Sequence, residues 1–350
     1  MPWGSRTSLA ETHKGVSMPR KTFSKRITSE ELTKQILPAN IDLMEQFLKD
    51  KAIRTSDKTI TVYRSNLIMF FTWNLQHNKN KRFTEIRKIE FSNFFSYAST
   101  ELKLGSSRLN NIRSTLSSFS VFIERFYDDI YPEFRNVILT VIESAPKEVR
   151  REKTILTDEQ VEDLLDHLSK TDVQEACWLA LAICSGARLS ELLSFEVDMI
   201  DENRTAFGDM FLETTKQIKT KGRGKAGKPL YKYILKDKFM PFFNVWKEER
   251  EKILKSKKKS NNSLFLRSDG NPATKTTVKT WSSHFEDFLG VPLYTHALRH
   301  YFVTLLSRKN IPYDLIQAIV GWSSSEMIKI YDDSSISEKS FPELENLKDV

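Results

Sequence analysis

The sequence predicts a mainly α-helical protein of two domains, with one small β-hairpin or sheet in the second domain. Apolar residues recur at helical spacing from about residue 38 to 145, and helical patterning resumes after a charged stretch at 146–156. Within the second helical region, one pair of short segments has the composition of β-strands. The 350 residues are enough for two ordinary domains.

The overall composition is that of a globular chain with a basic balance. Hydrophobic residues make up 39%, charged residues 29%, and the formal net charge is +8. A positive balance favours a polyanionic partner such as nucleic acid, although charge alone does not prove one. No run approaches the ~18 apolar residues that a membrane span needs, and the N-terminus has no signal-peptide core. We therefore expect a cytoplasmic, nucleoid-associated protein with no membrane partner.

The first part of the chain predicts an arm followed by a helical domain. Residues 1–35 are polar, rich in Ser and Thr, and basic, which is typical of a flexible arm. Residues 36–145 are dense in Phe, and their apolar stripes are those of packed helices. The stripes predict helices around 41–48, 62–73, 91–97 and 112–122.

The second part predicts a linker at 146–156, a domain at 157–335 and a tail at 336–350. Thr157 and Gln160 form a capping box that begins a helix, and Gly186 is placed to end another that starts near 173. Cys177 and Cys184 lie in this apolar stretch, where buried thiols are expected rather than a metal set or a disulfide. Further helices are predicted around 276–289, 296–309, 313–320 and 325–332.

One β-hairpin is predicted inside this second domain. The segments 210–216 and 229–235 have strand composition and flank a loop rich in Gly and Lys. The hairpin is crowded with basic residues: Lys216, Lys219, Lys221, Arg223, Lys225, Lys228 and Lys232. Clusters of this kind bind phosphates with salt-dependent affinity and little sequence specificity.

Several residues of the second domain suit the chemistry of a phosphodiester. The guanidinium groups of Arg188 and Arg299 are permanently charged and match phosphate oxygens as planar forks. His296 lies one helical turn before Arg299, and Trp322 offers an indole N–H donor. Glu191 follows Arg188 by three residues, so it can brace that guanidinium. Taken singly, each of these residues is more often structural.

Taken together and in this order, the residues resemble the active-site signature of the tyrosine recombinases, also called phage-type integrases. The signature comprises Arg188, His296, Arg299, Trp322 and Tyr331. Trp322 stands where many family members have His. The resemblance implies a two-domain architecture, in which a helical core-binding domain and a mostly helical catalytic domain close around duplex DNA.

The resemblance also implies the chemistry. Tyr331 would attack a DNA phosphate, form a 3′-phosphotyrosyl link and release a 5′ hydroxyl. Its phenol has an ordinary pKa near 10, so neighbouring cations must help it to lose the proton. Relatives carry a catalytic lysine in a hairpin at this place, and Lys221 is the best match, followed by Lys216. Lys216, Lys219, Arg223, Lys225 and Lys228 are expected to contact DNA phosphates.

The expected function is site-specific DNA recombination, as in integration, excision or resolution of a mobile element. The expected partners are double-stranded DNA, further copies of the chain in a tetramer on two DNA sites, and accessory DNA-bending proteins. Neither a metal nor another cofactor is expected. Three alternatives stay open: a non-cutting DNA-binding regulator derived from the same fold, a type IB topoisomerase, and a helical scaffold with accidental matches.

Overall fold

A computed structural model describes the larger part of the chain. It covers residues 27–146, 154–220 and 227–322, together with Ser324, Met327, Ile328 and Asp332. These ranges are mostly helical with two small antiparallel sheets, which confirms the predicted fold class. They form two compact units, one before and one after the predicted linker. The boundaries of linker and tail stay predictions, because 147–153 and 333–350 lie outside the described ranges.

The first unit is a helical bundle around a core of phenylalanines. Its helices are α1 (Glu30–Gln35), α2 (Pro38–Ala52), α3 (Asp57–His77), α4 (Lys88–Thr100), α5 (Ser106–Phe126) and α6 (Ile138–Val141). The four apolar stripes of the sequence coincide with α2 to α5. Phe70 is fully buried and meets Phe94 edge to face, with ring centroids 4.9 Å apart. Such aromatic pairs stabilise a core beyond the area they bury.

The predicted arm at 1–35 is wrong at its C-terminal end, where α1 forms. Ser29 caps this helix by accepting a hydrogen bond from the backbone N–H of Leu32. The amide of Asn80 then donates to the carbonyl of Gln35 and accepts from the N–H of Leu37. The polar composition of the segment did not predict this helix, which has a side-chain cap from Ser29 at one end and hydrogen bonds from Asn80 at the other. Residues 1–26 lie outside the described ranges.

Along the chain, the described helices of the second unit come before and after a small β region. Its helices are α7 (Asp158–Thr171), α8 (Val173–Ser185), α9 (Leu189–Leu192), α10 (Lys236–Lys257), α11 (Lys275–Leu289), α12 (Thr295–Arg308) and α13 (Tyr313–Val320). The predicted capping box at Thr157 and Gln160 is present. The helices predicted near 173, 276, 296 and 313 all form, while most of the one predicted at 325–332 lies outside the described ranges.

The hairpin is present, but each of its two sides consists of two short strands where one was predicted. The strands are β1 (Thr205–Ala206), β2 (Phe211–Glu213), β3 (Ile218–Thr220), β4 (Lys228–Leu230) and β5 (Tyr233–Leu235). Glu213 pairs with Tyr233 and Ile218 pairs with Leu230, so residues 214–217 oppose only residues 231–232. Such an insertion bends and twists the ribbon. The predicted continuous strand at 210–216 is therefore wrong, because β2 ends at Glu213.

Helix α8 is the central element of the second unit. Every residue from Glu175 to Ser185 is buried, and α7, α10 and α12 pack around it. Cys177 and Cys184 are buried free thiols, as predicted, and burial raises the pKa of Cys184 to about 12. None of the helices in the described part of the chain is long and apolar enough to cross a membrane.

The end of α8 gives a test of packing by paired glycine substitutions. Gly186 and Gly290 end α8 and α11 in the left-handed conformation, with φ of +55° and +66°. A Cβ at Gly186 would lie 2.5 Å from Cδ1 of buried Phe302, whereas a Cβ at Gly290 would meet nothing within 4 Å. We expect Gly290→Ala to lower the free energy of unfolding by about 1–2 kcal/mol. Gly186→Ala should lower it by about 1–3 kcal/mol more.

Urea unfolding followed by tryptophan fluorescence measures both losses. Equal losses for the two variants would show that the contact between Gly186 and Phe302 carries no packing constraint, since both substitutions share the same backbone strain.

Candidate active site

The end of α8 brings together the two arginines that the sequence singled out. Arg299, one turn into α12, donates a hydrogen bond from Nη1 to the carbonyl oxygen of Gly186. The left-handed conformation of Gly186 turns the chain, and Arg188 then begins the short helix α9. Arg299 is only 1% exposed, so its guanidinium is fixed by its surroundings. Residues that are far apart in sequence thus meet at one helix end.

Glu191 is the buried anion of this region. It is 0% exposed and accepts two hydrogen bonds from Arg188, one from the backbone N–H at 3.0 Å and one from Nη1 at 2.9 Å. The same carboxylate also forms an ion pair with Lys232, with 2.8 Å between Oε2 of Glu191 and Nζ of Lys232. Burial by itself would raise the pKa of Glu191, but Lys232 and Arg188 outweigh burial and lower that pKa.

Lys232 enters the site because of the break in the hairpin. Its backbone N–H donates to Oγ1 of Thr214 at 2.9 Å, and its carbonyl accepts from the N–H of Thr214 at 2.9 Å. The side chain is 1% exposed. Burial is the main cause that lowers the pKa of Lys232, and the positive charges of Arg299 and Arg188 lower it further, against the opposing effect of Glu191. Lys232 therefore lies within electrostatic reach of both arginines.

Trp322 lies against the guanidinium of Arg299. The Arg299 guanidinium carbon lies 5.4 Å from the centroid of the Trp322 ring, a cation–π arrangement, and Trp322 is 4% exposed. Gly321 places this ring by ending α13 with φ of +76°. A Cβ at Gly321 would lie 2.7 Å from Cδ1 of Leu230 and 4.0 Å from Nζ of Lys232. The hairpin and the end of α13 thus touch directly beside the buried lysine.

The same helix carries His296 and Arg299 in different environments. His296 lies in the first turn of α12 and is exposed, whereas Arg299 one turn later is buried. An exposed imidazole at a helix start is accessible to a large ligand, and its N–H can act as a hydrogen-bond donor. The pairing of an exposed donor with a fixed guanidinium suits a substrate that approaches from solvent.

The hairpin lysines differ in what they offer to a ligand. Lys219 on β3 and Lys228 on β4 are exposed. Lys216 lies between β2 and β3, where its ammonium forms ion pairs at 2.8 Å with both Glu196 and Asp198. Two carboxylates therefore already satisfy Lys216. Lys221, Arg223 and Lys225 lie outside the described residues.

The predicted nucleophile Tyr331 also lies outside the described residues, but the residue after it is described. Asp332 accepts a hydrogen bond at 2.7 Å from Oγ of Ser307, which is buried on α12. Its backbone N–H donates to the carbonyl of Ile328 at 2.7 Å. Asp332 is thus joined to the helix that carries Arg299.

The sequence predicted Lys232 only as one of the basic residues of the hairpin, and its burial was not predicted. The available signal was the alternation of Leu230, Lys232 and Ile234, which in a continuous strand would place the lysine on the same face as two apolar residues. Composition alone suggested a solvated basic loop, whereas the alternation indicates an inward side chain.

The assembled groups suit a phosphate more than a metal. Arg188 and Lys232 both contact the carboxylate of Glu191, and Arg299 lies within electrostatic reach of Lys232. Within the ranges that the structure describes, no group of three or more His, Cys, Asp or Glu side chains could hold a metal ion. Guanidinium groups that the protein holds in place stabilise charge that develops on phosphate oxygens.

The family model of the phage integrase family matches residues 154–338, more than half of the chain. The chain belongs to the phage integrase family, the family of the tyrosine recombinases. Tyrosine recombinase XerD of Oceanobacillus iheyensis is 22% identical, over 79% of this chain and 87% of the relative. Tyrosine recombinase XerC of Alcanivorax borkumensis is 26% identical, over 53% of this chain and only 58% of the relative.

Solved recombinase structures share the fold of the integrase chain. A post-cleavage complex of XerH recombinase with palindromic difH substrate has a TM-score of 0.62 at 20% identity, covering 78% of this chain and 75% of that one. A lambda integrase dimer bound to a COC′ core site has a TM-score of 0.58 at 18% identity, covering 87% of this chain and 81% of that one. The chain therefore has the fold of the tyrosine recombinases.

The buried carboxylate gives a test of the charge network. Glu191→Gln leaves the Lys232 ammonium buried without its carboxylate, so we expect the free energy of unfolding to fall by about 3–5 kcal/mol. Because folding lowers the pKa of Glu191 below 4.5, its contribution is present above that value and is lost as the pH falls through the lower folded pKa. The free energy of unfolding of Glu191→Gln should therefore lack this decrease at low pH.

Asp166→Asn is the matched control. Asp166 forms its ion pair with Lys170 while 69% exposed, and such pairs contribute about 0–1 kcal/mol. Urea unfolding at about five pH values between about 3 and 7 gives the free energy of unfolding of the two variants and of the unmodified chain. A loss in Glu191→Gln no larger than that in Asp166→Asn would contradict a stabilising buried network.

Proposed function

We propose that the integrase chain is a site-specific DNA recombinase that cleaves and rejoins strands through a 3′-phosphotyrosyl intermediate. Two observations carry this proposal together: Arg188 contacts the buried pair of Glu191 and Lys232, and Arg299 lies against Trp322 within electrostatic reach of Lys232. The relatives are named tyrosine recombinases, and XerH and lambda integrase were solved as DNA complexes. No finding favours the non-cutting regulator.

The first chemical step would be attack by Tyr331 on the scissile phosphorus. The bond from phosphorus to the tyrosine oxygen forms, the bond to the 5′ oxygen breaks, and the tyrosine proton is released. Arg188 and Arg299 would hold the non-bridging oxygens, with His296 and Trp322 as further donors. Loss of one such donor typically lowers the rate by about 10²–10³-fold.

The departing 5′ oxygen needs a proton, and Lys221 is our proposed donor. A lysine close to guanidinium groups loses its proton more readily, because neighbouring positive charge disfavours the ammonium form. The phosphotyrosyl bond replaces the phosphodiester bond, so attack by a 5′ hydroxyl can restore the DNA strand by the reverse route. Recombination results when that hydroxyl belongs to the partner strand.

The partners follow from this proposal. Double-stranded DNA would bind along the exposed hairpin lysines, and recombination of two sites would require a tetramer, with accessory DNA-bending proteins as further partners. The tail at 336–350 offers Ile336, Phe341, Leu344 and Leu347 for a contact with a neighbouring copy. A cytoplasmic, nucleoid-associated protein acting on a mobile element fits this role.

The nucleophile gives the decisive test of the proposed function. Incubation with nicked DNA from the borders of the genetic element that encodes the chain should yield a protein–DNA adduct that survives denaturation. Tyr331→Phe lacks the attacking oxygen, so it should form no adduct while binding the same DNA with unchanged affinity. Adduct formation is measured by denaturing gel electrophoresis, and binding is measured by mobility shift.

Tyr231→Phe serves as the matched tyrosine control, because Tyr231 is exposed and stacks with Arg204 at the hairpin. It should form adduct at the rate of the unmodified chain. Tight binding without any adduct from the unmodified chain would reject the recombinase and favour the non-cutting regulator. Adduct formation with relaxation of supercoiled DNA but no strand exchange would favour the topoisomerase.

The hairpin lysines give a test that needs no target sequence. Lys219→Gln and Lys228→Gln each remove an exposed ammonium, so each should lower the slope of log affinity against log salt by about 0.9. Lys216→Gln should change that slope little, because Glu196 and Asp198 already hold the ammonium. Fluorescence anisotropy with a labelled duplex over a salt series measures the three slopes.

A slope change for Lys216→Gln as large as for Lys219→Gln would show that Lys216 leaves its carboxylates and binds DNA. Unchanged slopes for all three variants would place the DNA contact elsewhere on the chain.

A further inference from the structure

Lys232 is the one lysine that is buried among the residues the structure describes. Removing an ammonium group from water is costly unless it is paired, and even paired buried ions often contribute little net stability. Apolar residues lie two positions before and two positions after Lys232, at half-buried Leu230 and buried Ile234. A leucine or methionine at position 232 could be buried without the cost of removing a charge from water, so a role of the lysine in the site is worth testing.

The geometry holds the lysine in one place. Its backbone N–H donates to the side-chain hydroxyl of Thr214 and its carbonyl accepts from the backbone N–H of Thr214, which fixes its position in the ribbon. A Cβ at Gly321, at the end of α13, would lie 4.0 Å from the ammonium nitrogen of Lys232. Nζ lies 2.8 Å from Oε2 of Glu191. The other oxygen of that carboxylate accepts from Nη1 of Arg188. The carboxylate therefore links a buried ammonium to a guanidinium that is partly open to solvent.

We propose that Lys232 is a positioning residue for the reaction proposed above: it fixes Glu191, and Glu191 in turn orients Arg188 toward the scissile phosphate. The proposal rests on the proposed function. The ammonium also balances the carboxylate, so that Arg188 keeps its positive charge available for the phosphate. Without Lys232, the guanidinium would be the main partner of a buried anion and would face the substrate as part of a neutral pair.

The competing role for a lysine at this site is general acid. A general acid must come within about 2.6–3.2 Å of the departing oxygen. Lys232 is 1% exposed and turned toward Glu191, with Gly321 beside its ammonium. This arrangement suits action through Arg188 and leaves proton donation to a lysine of the hairpin loop.

The two roles are separated by the leaving group of the substrate. The second substrate is a nicked duplex with sulfur in place of the bridging 5′ oxygen. Its leaving group departs as a thiolate, which needs no proton because thiols are far more acidic than alcohols. Loss of a general acid is therefore rescued by sulfur, whereas loss of phosphate positioning is not. The experiment measures adduct formation rates on the oxygen and the sulfur substrates, with DNA from the borders of the element.

The expected result for Lys232→Met is a fall of about 10²-fold on both substrates, by the same factor, with unchanged DNA affinity. Lys221→Ala is the matched comparison and should regain most of its rate on the sulfur substrate. Rescue of Lys232→Met by sulfur would overturn the positioning role in favour of general acid. A rate equal to that of the unmodified chain on oxygen would overturn any role in the reaction.

A second variant decides the case if Lys232→Met alone fails to fold. Combining Lys232→Met with Glu191→Gln removes both buried charges, which is often neutral or stabilising. Arg188 then lacks its anchor, so this folded variant should bind DNA but remain slow on both substrates. Sulfur rescue or a full rate in the double variant would contradict the proposal. If the unmodified chain forms no adduct on either substrate, the proposed function itself fails.

Discussion

The arrangement of the site depends on the contacts that the buried carboxylate of Glu191 makes with Arg188 and Lys232. The carboxylate accepts two hydrogen bonds from Arg188 and pairs with Lys232, so it joins α9 to the broken hairpin. A carboxylate that contacts two cations holds them near one another, because like charges separate unless an opposite charge lies between them. Removing it would leave Lys232 buried and unbalanced, which would affect the stability of the unit and the geometry of the site together.

Backbone geometry supplies the other half of the arrangement. Gly186 and Gly321 each end a helix in the left-handed conformation, and each leaves space that a Cβ would fill, against Phe302 and Leu230 respectively. The first glycine accepts a hydrogen bond from Arg299 and the second precedes Trp322. Two positions of close approach, at the ends of α8 and α13, thus help to bring an arginine and its aromatic neighbour together. The positions of the side chains follow from tight packing as much as from charge.

The sequence predicted the features that depend on local pattern. Helical stripes in the first unit, the capping box at Thr157 and the helix end at Gly186 all rest on periodicity or on a single cap, and they are present. The break in the hairpin and the burial of Lys232 were missed, because they depend on which residues face each other across the ribbon. Helix α1 was missed because its segment is polar, and the hydrogen bonds at its C-terminal end come from Asn80, far along the chain. The assignments of Tyr331 and Lys221 stay predictions.

Several cations lie close together at the site, and their proximity has a physical meaning. Burial lowers the pKa of Lys232, and the positive charges of Arg299 and Arg188 lower it further. Cations that are held near one another away from water repel each other, and a bound anion relieves that repulsion. In the proposed reaction a phosphodiester would be that anion, and its charge would grow on the non-bridging oxygens as the tyrosine attacks. Preorganised positive charge is most effective at that stage, so the repulsion that folding tolerates at this site would be relieved most in the transition state.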